Sequence, residues 1–240
     1  MTTSNKLRDQ AYDAFMSHLV ARRLLPGQFI SQRELALLTN MSLASVREII
    51  PRLEAEGMLK AISQRGLQIV RIDLRMVCEA FQLREFIETN AIAAFVHRAS
   101  DAEIDHHVAA LDDLRRRAAA GLSAALLEEA QETDWALHDA FVTALDNSII
   151  ADLHRVNSVR IRMIAGERIG LSAPRFPIAT AEHQAILDAL SRRDEAGARS
   201  ALIAHLASSR RRSLNFGVVL DSDETALSSP SPSAPPGRLP

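Results

Sequence analysis

The chain has 240 residues, 47% hydrophobic and 24% charged, enough for one large or two modest globular domains. Its single cysteine, Cys78, excludes an intrachain disulfide framework and a thiolate metal cluster. No stretch approaches the roughly 18 apolar residues of a membrane span, and "MTTSNKLRDQ" lacks the apolar segment of a signal peptide, so a cytoplasmic protein with no membrane partner is expected.

The formal net charge of -2 is unevenly spread. Residues 1–72 carry 10 Lys+Arg against 6 Asp+Glu, net +4, while residues 73–240 carry the remaining 18 against 24, net -6. That asymmetry implies a basic module for a polyanion joined to an acidic module with another task.

In chain order, three helices are expected first, over about 6–24, 32–38 and 43–56, separated by "LLPGQFI" and "TNM". Ser31 followed by Glu34 is a capping box, and Ser42 caps the third helix. "GMLKAI" and "LQIVRI" around "SQRG" predict a hairpin in which Gly66 takes a positive φ. Three short helices and a hairpin make a winged helix-turn-helix, whose third helix enters the major groove of DNA.

The recognition stretch "SLASVREIIPRLEAEG" divides by spacing. Leu43, Ala44, Ser45 and Arg47 form an exposed first turn and a half, whereas Val46, Ile49, Ile50 and Leu53 form a buried stripe. Arg47 can donate two parallel hydrogen bonds to guanine, or else remain solvated or meet a phosphate. Arg33 and Arg65 suit phosphate contacts, which fix register without reading sequence. Pro51 removes an amide that would bond the Arg47 carbonyl, which predicts either a kink or a helix restarting at Pro51; the in-phase stripe favours the kink.

Over about residues 7–72, "LLPGQFISQRELALLTNMSLASVREIIPRLEAEGML" resembles the DNA-binding domain of GntR-family bacterial transcription regulators. The resemblance implies operator contacts by Arg33, by residues 43–47 and by the wing glycine Gly66. Family members usually carry arginine directly after the cap, where this chain has Leu43; an aliphatic side chain loses that guanine contact and can instead meet a thymine methyl.

Six helices are then expected, over about 74–98, 102–119, 124–145, 149–169, 180–191 and 195–215, with "RASD", "AAAGLS", "LDNS", "GLSAPRFP" and "RRD" between them. From residue 220 the sequence is polar and rich in Ser and Pro, as in a disordered tail. The expected fold is thus mainly α: a winged helix-turn-helix over 1–72, an all-α six-helix bundle over 73–219, and a tail over 220–240.

Candidate chemistry in the bundle is concentrated in four residues. Asp134 and His138 lie four apart on one helix face, and two further helices supply His183 and His205. Three imidazoles and a carboxylate suit Zn, Ni, Mn or Fe(II) with positions left open; the alternative is a surface Asp/His pair and two buried structural histidines. His18, His97, His106, His107 and His154 lack such partners and read as solvated or structural.

"TDWALHDAFVTALDNS" and "EHQAILDALSRRDEAGARSALIAHL" resemble the effector-binding FCD domain of the FadR subfamily over about residues 74–215. The resemblance implies a divalent metal (Zn, Ni or Mn) on Asp134, His138, His183 and His205, at the floor of a cavity for small organic acids. It also implies that Arg84, and more weakly Arg160, meets the effector carboxylate. A homodimeric repressor on operator DNA follows, with the helix over 74–98 as the mechanical link from effector to wing. Two rivals share the same residues: a metal-dependent enzyme, and a regulator whose metal is structural or is itself the signal. No general base, Gly-rich phosphate loop or nucleophile motif accompanies the first, and it leaves the basic module unexplained.

Overall fold

The computed structural model describes the backbone of residues 3–166 and 170–226 and the side chains of residues 6–166 and 170–215. Local signals set the first elements. Ser31 Oγ accepts the Glu34 amide at 3.1 Å while Glu34 Oε2 accepts the Ser31 amide at 2.7 Å, starting α2 (Gln32–Thr39), and Asn40 ends it in the left-handed region. Ser42 caps α3 (Leu43–Ala55) by accepting the Ser45 amide. Each such cap is worth about 1 kcal/mol. α1 (Thr3–Val20) packs across both helices, ending earlier than the apolar pattern suggested because residues 21–24 form a turn.

Of the two readings of Pro51, the continuous helix is the one that forms. α3 runs through the proline from Leu43 to Ala55, and Val46, Ile49, Ile50 and Leu53 are all buried on one side of it. The buried stripe compensates for the missing amide. Ser45 departs from expectation: it is buried, its hydroxyl 2.8 Å from that of Ser42, because the cap draws it back toward the helix start.

The wing pairs β2 (Leu59–Ile62) with β3 (Gly66–Ile69), and a strand absent from the sequence reading, β1 (Phe29–Ile30), adds to the other edge of β3. All pairs are antiparallel in the order β1-β3-β2. Two residues are too few to show a period of two. The same pairing explains Gly66: at φ +84 a Cβ there would lie 2.9 Å from the Ile30 carbonyl oxygen.

Asp73 caps α4 (Leu74–Arg98) by accepting the Met76 amide at 2.7 Å. There follow α5 (Asp101–Ala120), α6 (Ala124–Thr143), α7 (Ser148–Ile164), α8 (Phe176–Ser191) and α9 (Glu195–Ala226), giving nine helices among the described residues. α4 lies centrally, in contact with α6, α7 and α9, while α8 packs between α5 and α9. Two boundaries differ from the periodic reading. α8 begins four residues early because Pro177 sits in its first turn, where no amide is required. The α-helical part of α7 ends at Ile164 and residues 165–166 continue as a π turn, while the expected end at residue 169 lies outside the described residues. α9 continues to Ala226, past the expected start of the tail, since no proline follows until Pro230; residues 227–240 lie outside those described.

The winged module and the bundle meet along α7. Val159 and Met163 are buried in the core of the winged module, and on another face of the same helix Ile161 and Ile164 join Val77, Phe81 and Trp135 in a core of the bundle. Arg160 donates to the Glu56 carbonyl at the end of α3, and Arg22 donates to the Gly166 carbonyl at 2.6 Å. Tyr12 donates its hydroxyl to Glu56 Oε2 at 2.5 Å and accepts from Arg155 at 3.0 Å, with the Arg52 guanidinium 3.7 Å from its ring centroid.

Burial, then the hydrogen bond to Glu56, push the Tyr12 phenol up from 10.0 to about 12, with Arg155 opposing. The fold prefers the neutral phenol, so its contribution is complete below pH 10 and is lost as pH rises from there toward 12. Tyr12 is the only tyrosine of the chain, so phenolate absorbance reports it directly. The absorbance should titrate near pH 12 in the native protein, and Tyr12→Phe should cost about 1–3 kcal/mol by denaturant unfolding at neutral pH. A midpoint at the ordinary value would show the seam to be open.

Candidate metal centre

One turn of α6 separates Asp134 from His138, α8 contributes His183 and α9 contributes His205, so three elements aim at one point. All three histidines are buried. Their Nε2 atoms lie 3.6 Å (His138), 2.6 Å (His183) and 4.0 Å (His205) from a single oxygen, Asp134 Oδ1. The four potential ligand atoms fall within 4.8 Å of one another. Asp134 Oδ2, facing away, accepts from Gln131 at 3.2 Å.

The donor set fits a divalent ion. Nε2 of His138 and of His183 are buried without a hydrogen-bond partner, although each has the Asp134 oxygen beside it; the contact lacks hydrogen-bond geometry. Buried polar atoms without partners are costly unless something else completes them. Three imidazole nitrogens and one carboxylate oxygen suit Zn, Ni, Mn or Fe(II) and leave coordination positions free. Asp134 is ionised, as a ligand must be: burial opposes this, but His183 and His138 hold its carboxyl well below the usual range. Burial, then His183, draw His205 down to about 3, which keeps that imidazole neutral.

Two carboxylates set the histidine tautomers. Glu88 on α4 lies 2.6 Å from His138 Nδ1, and Glu182 on α8 lies 3.0 Å from His205 Nδ1. Burial works against ionising Glu88, yet Arg84 and His138 bring it to about 2; Glu182 also falls to about 2, against burial, through His205 and Ser208. Both therefore accept only, so each of these histidines holds a proton on Nδ1, and with an ion bound Nε2 would present its lone pair to the shared point.

Above Asp134, His183 and His205 opens a cavity of about 70 Å³, room for several water molecules or a small ligand. Arg84 lines it and is buried; its Nε donates to Glu88 at 2.9 Å, while Nη2 has no partner. The i,i+4 ion pair and the cavity-facing role, which the sequence left as alternatives, are thus both features of one side chain. Arg160 is not on this cavity: it faces the winged module, because its place on α7 points it at the end of α3. Arg175, Arg212 and His107 line the cavity and were missed. Arg175 precedes α8 in a stretch whose sequence reads as a loop, Arg212 lies in an arginine run of the last helix that carries no motif, and the spacing of His107 reads as solvated or structural. Glu88 and Glu182 were legible only as the i,i+4 partner of Arg84 and the residue preceding His183.

In the winged module, Arg33, Ala44, Arg47 and Arg65 are exposed and Leu43 is half-exposed. Arg33 and Leu43 border one shallow surface together with Leu37, and Arg47 Nε donates to Gln32 at 3.1 Å, tying the start of α2 to α3. Ser45 is turned inward and offers this face nothing.

Residues 7–69 match the bacterial regulatory proteins of the gntR family, and residues 79–208 match the FCD domain. The chain is a GntR-family transcriptional regulator with an FCD domain. An FCD domain is consistent with the FadR subfamily. The regulator is 27% identical over 208 residues to an HTH-type transcriptional regulator from an unstable DNA locus of Streptomyces ambofaciens, covering 85% of this chain and 84% of the relative. A shorter match, 31% over 85 residues, covers 35% of this chain and 40% of the Nta operon transcriptional regulator of Aminobacter aminovorans. In structure it is similar to McbR/YncC of E. coli, with a TM-score of 0.70 at 19% identity over 93% of this chain and 100% of the other. It also resembles a GntR regulator from Rhodococcus sp. RHA1, with a TM-score of 0.65 at 16% identity over 90% and 99% of the two chains. The family and the two curated relatives are transcriptional regulators rather than enzymes.

Glu88→Ala should leave both Arg84 and His138 buried without their anion. By the behaviour of broken buried ion pairs this costs about 3–5 kcal/mol, measurable by denaturant unfolding of the metal-free protein. A loss under about 1 kcal/mol, the range of exposed pairs, would show that Glu88 does not hold these groups.

Proposed function

We propose that this regulator is a repressor whose hold on operator DNA is set by a small carboxylic acid, bound next to a divalent ion on Asp134, His138, His183 and His205. Zn, Ni and Mn are the candidates for the ion. The observation that carries this reading is the convergence of three Nε2 atoms and Asp134 Oδ1 in a cavity where the buried Arg84 has a free Nη2. When bound, the ion offers its open positions to a carboxylate oxygen. Arg84 meets the other oxygen, and because Glu88 fixes its Nε, the direction of Nη2 is set before the acid arrives.

An effector shifts an equilibrium only if it binds the two arrangements differently, so the cavity has to be joined physically to the winged module. α4 begins directly after the wing and carries Arg84. α7 supports a second route: Ile161 and Ala165 line the cavity, while Val159 and Met163 sit in the winged core and Arg155 and Arg160 bond Tyr12 and Glu56. A movement of α7 at the cavity shifts the frame that holds α3. In a homodimer acting in the cytoplasm, two such frames set the spacing of two recognition helices on a pseudo-palindromic operator.

On DNA, Arg33 and Arg65 contact phosphates, Arg47 reads a base edge, and Leu43 and Ala44 present apolar surface to it. Gly66 lets the wing turn close against β1.

Operator fragments selected from random duplexes provide the assay. Arg47→Ala should cost about 1–3 kcal/mol and relax preference at one position, whereas Arg65→Ala should weaken all sequences about equally and lower the salt dependence. Loss at every sequence alike for Arg47→Ala would make it a phosphate contact instead.

For the ligand site, His138→Ala and His205→Ala should abolish metal content and acid-induced release of DNA. Chelation should lower the melting temperature of the wild type but not of these variants. Variants that keep both their metal and their acid response would remove the assignment.

A further inference from the structure

The metal-side contacts use only part of the cavity. Beyond them, Arg175, immediately before α8, and Arg212, seven residues after His205 on α9, line the same space. Seven residues are two helical turns, so Arg212 follows His205 on one face of α9. Each arginine is incompletely paired. Arg175 gives one terminal nitrogen to Glu182 at 2.5 Å, Arg212 gives one to Ser208 at 2.8 Å, and Nε of both is buried with no partner. Buried guanidinium donors left open in this way point to an acceptor from outside the chain.

Charge counting leads to the same place. Arg84, Arg175 and Arg212 are matched by Asp134, Glu88 and Glu182, and metal-bound imidazoles are neutral, so a divalent ion would leave two positive charges uncompensated in a partly buried space. A monocarboxylate cancels one of them. Burial, then the nearby charge of Arg175, lower the proton affinity of Arg212, a repulsion that an anion between the two relieves. The same space is also lined by apolar side chains, among them Leu111, Leu137, Ile161 and Leu187.

We propose that the effector is a small acid with two anionic ends, one held by the metal centre and Arg84, the other by Arg175 and Arg212 across a short apolar link. The proposal rests on the preceding reading that an acid binds beside the ion, and it adds the second anionic end and the residues that select for it. Glu182 ties the ends together, since the same carboxylate orients His205 and holds Arg175.

The test uses the full-length protein loaded with Zn²⁺ and titrated calorimetrically with butyrate and pentanoate, with succinate and glutarate, and with phosphonopropionate. The diacids should bind at least about tenfold more tightly than monoacids of equal length, the value of one further charge-assisted contact. Arg212→Gln should remove that advantage while leaving monoacid affinity and zinc content unchanged, and Arg212→Lys should restore part of it. Preference for phosphonopropionate over succinate would identify the distal end as phosphate-like, and the reverse preference as a carboxylate; both support a two-ended acid. Equal affinity of monoacids and diacids in the unmodified chain overturns the proposal, as does an Arg212→Gln variant that weakens both classes alike. If zinc binds and no acid of any class does, the reading of an acid beside the ion falls with it; if only monoacids bind, that reading stands and this one falls.

Discussion

Three histidines from three elements facing one oxygen of Asp134 make a buried arrangement that the chain cannot satisfy by itself. Two of the imidazoles, those of His138 and His205, are held by groups outside the cluster. Glu88 and Glu182 take the Nδ1 protons, Arg84 and Arg175 hold those carboxylates, and the guanidiniums reach into the cavity. α4, α6, α8 and α9 must therefore keep their relative positions within hydrogen-bond tolerance, or the cluster disperses. Apolar packing supplies that rigidity, with Ala91, Phe95, Phe141, Leu187 and Leu202 of the main bundle core all buried around it.

The same dependence explains why the cavity is a reasonable place to put a switch. Packed interiors change by discrete repacking rather than by smooth deformation, so an element belonging to two cores transmits what happens in either. α7 is such an element, with residues two positions apart facing different cores: Val159 the winged module and Ile161 the bundle. Polar contacts add direction to this seam, since Arg160 bonds the carbonyl of Glu56 at the very end of the recognition helix. Pro51 fits here as well. With its amide missing in the middle of α3, that helix depends on its buried stripe, and thus on the core it shares with α7, more than an ordinary helix would.

Much of this was legible in one dimension. The caps at Ser31 and Ser42 act within four residues, the 3-to-4 spacing of Val46, Ile49 and Leu53 marked a buried face, and Asp134 and His138 were placed together by the helical period alone. The errors have specific causes. β1 is too short to carry a period, Phe176 and Pro177 read as a loop because the proline that starts a helix also resembles one that ends it, and Ser45 looked exposed because side-chain capping is a matter of rotamer rather than spacing. Arg160 was assigned to the wrong partner because a residue's position along a helix does not say which of two neighbours that face meets.

By itself, the sequence determined the helical segments and their caps, the basic winged module, and the four residues able to hold an ion, because these depend on local hydrogen bonding, side-chain period and residue chemistry. Only the tertiary structure decided that three Nε2 atoms share one oxygen, that Glu88 and Glu182 stand behind two of them, that Arg175 and Arg212 line the same cavity as Arg84, and that α7 is common to both cores. Those relations join residues up to a hundred positions or more apart, and their geometry follows from how whole helices pack rather than from any signal along one of them.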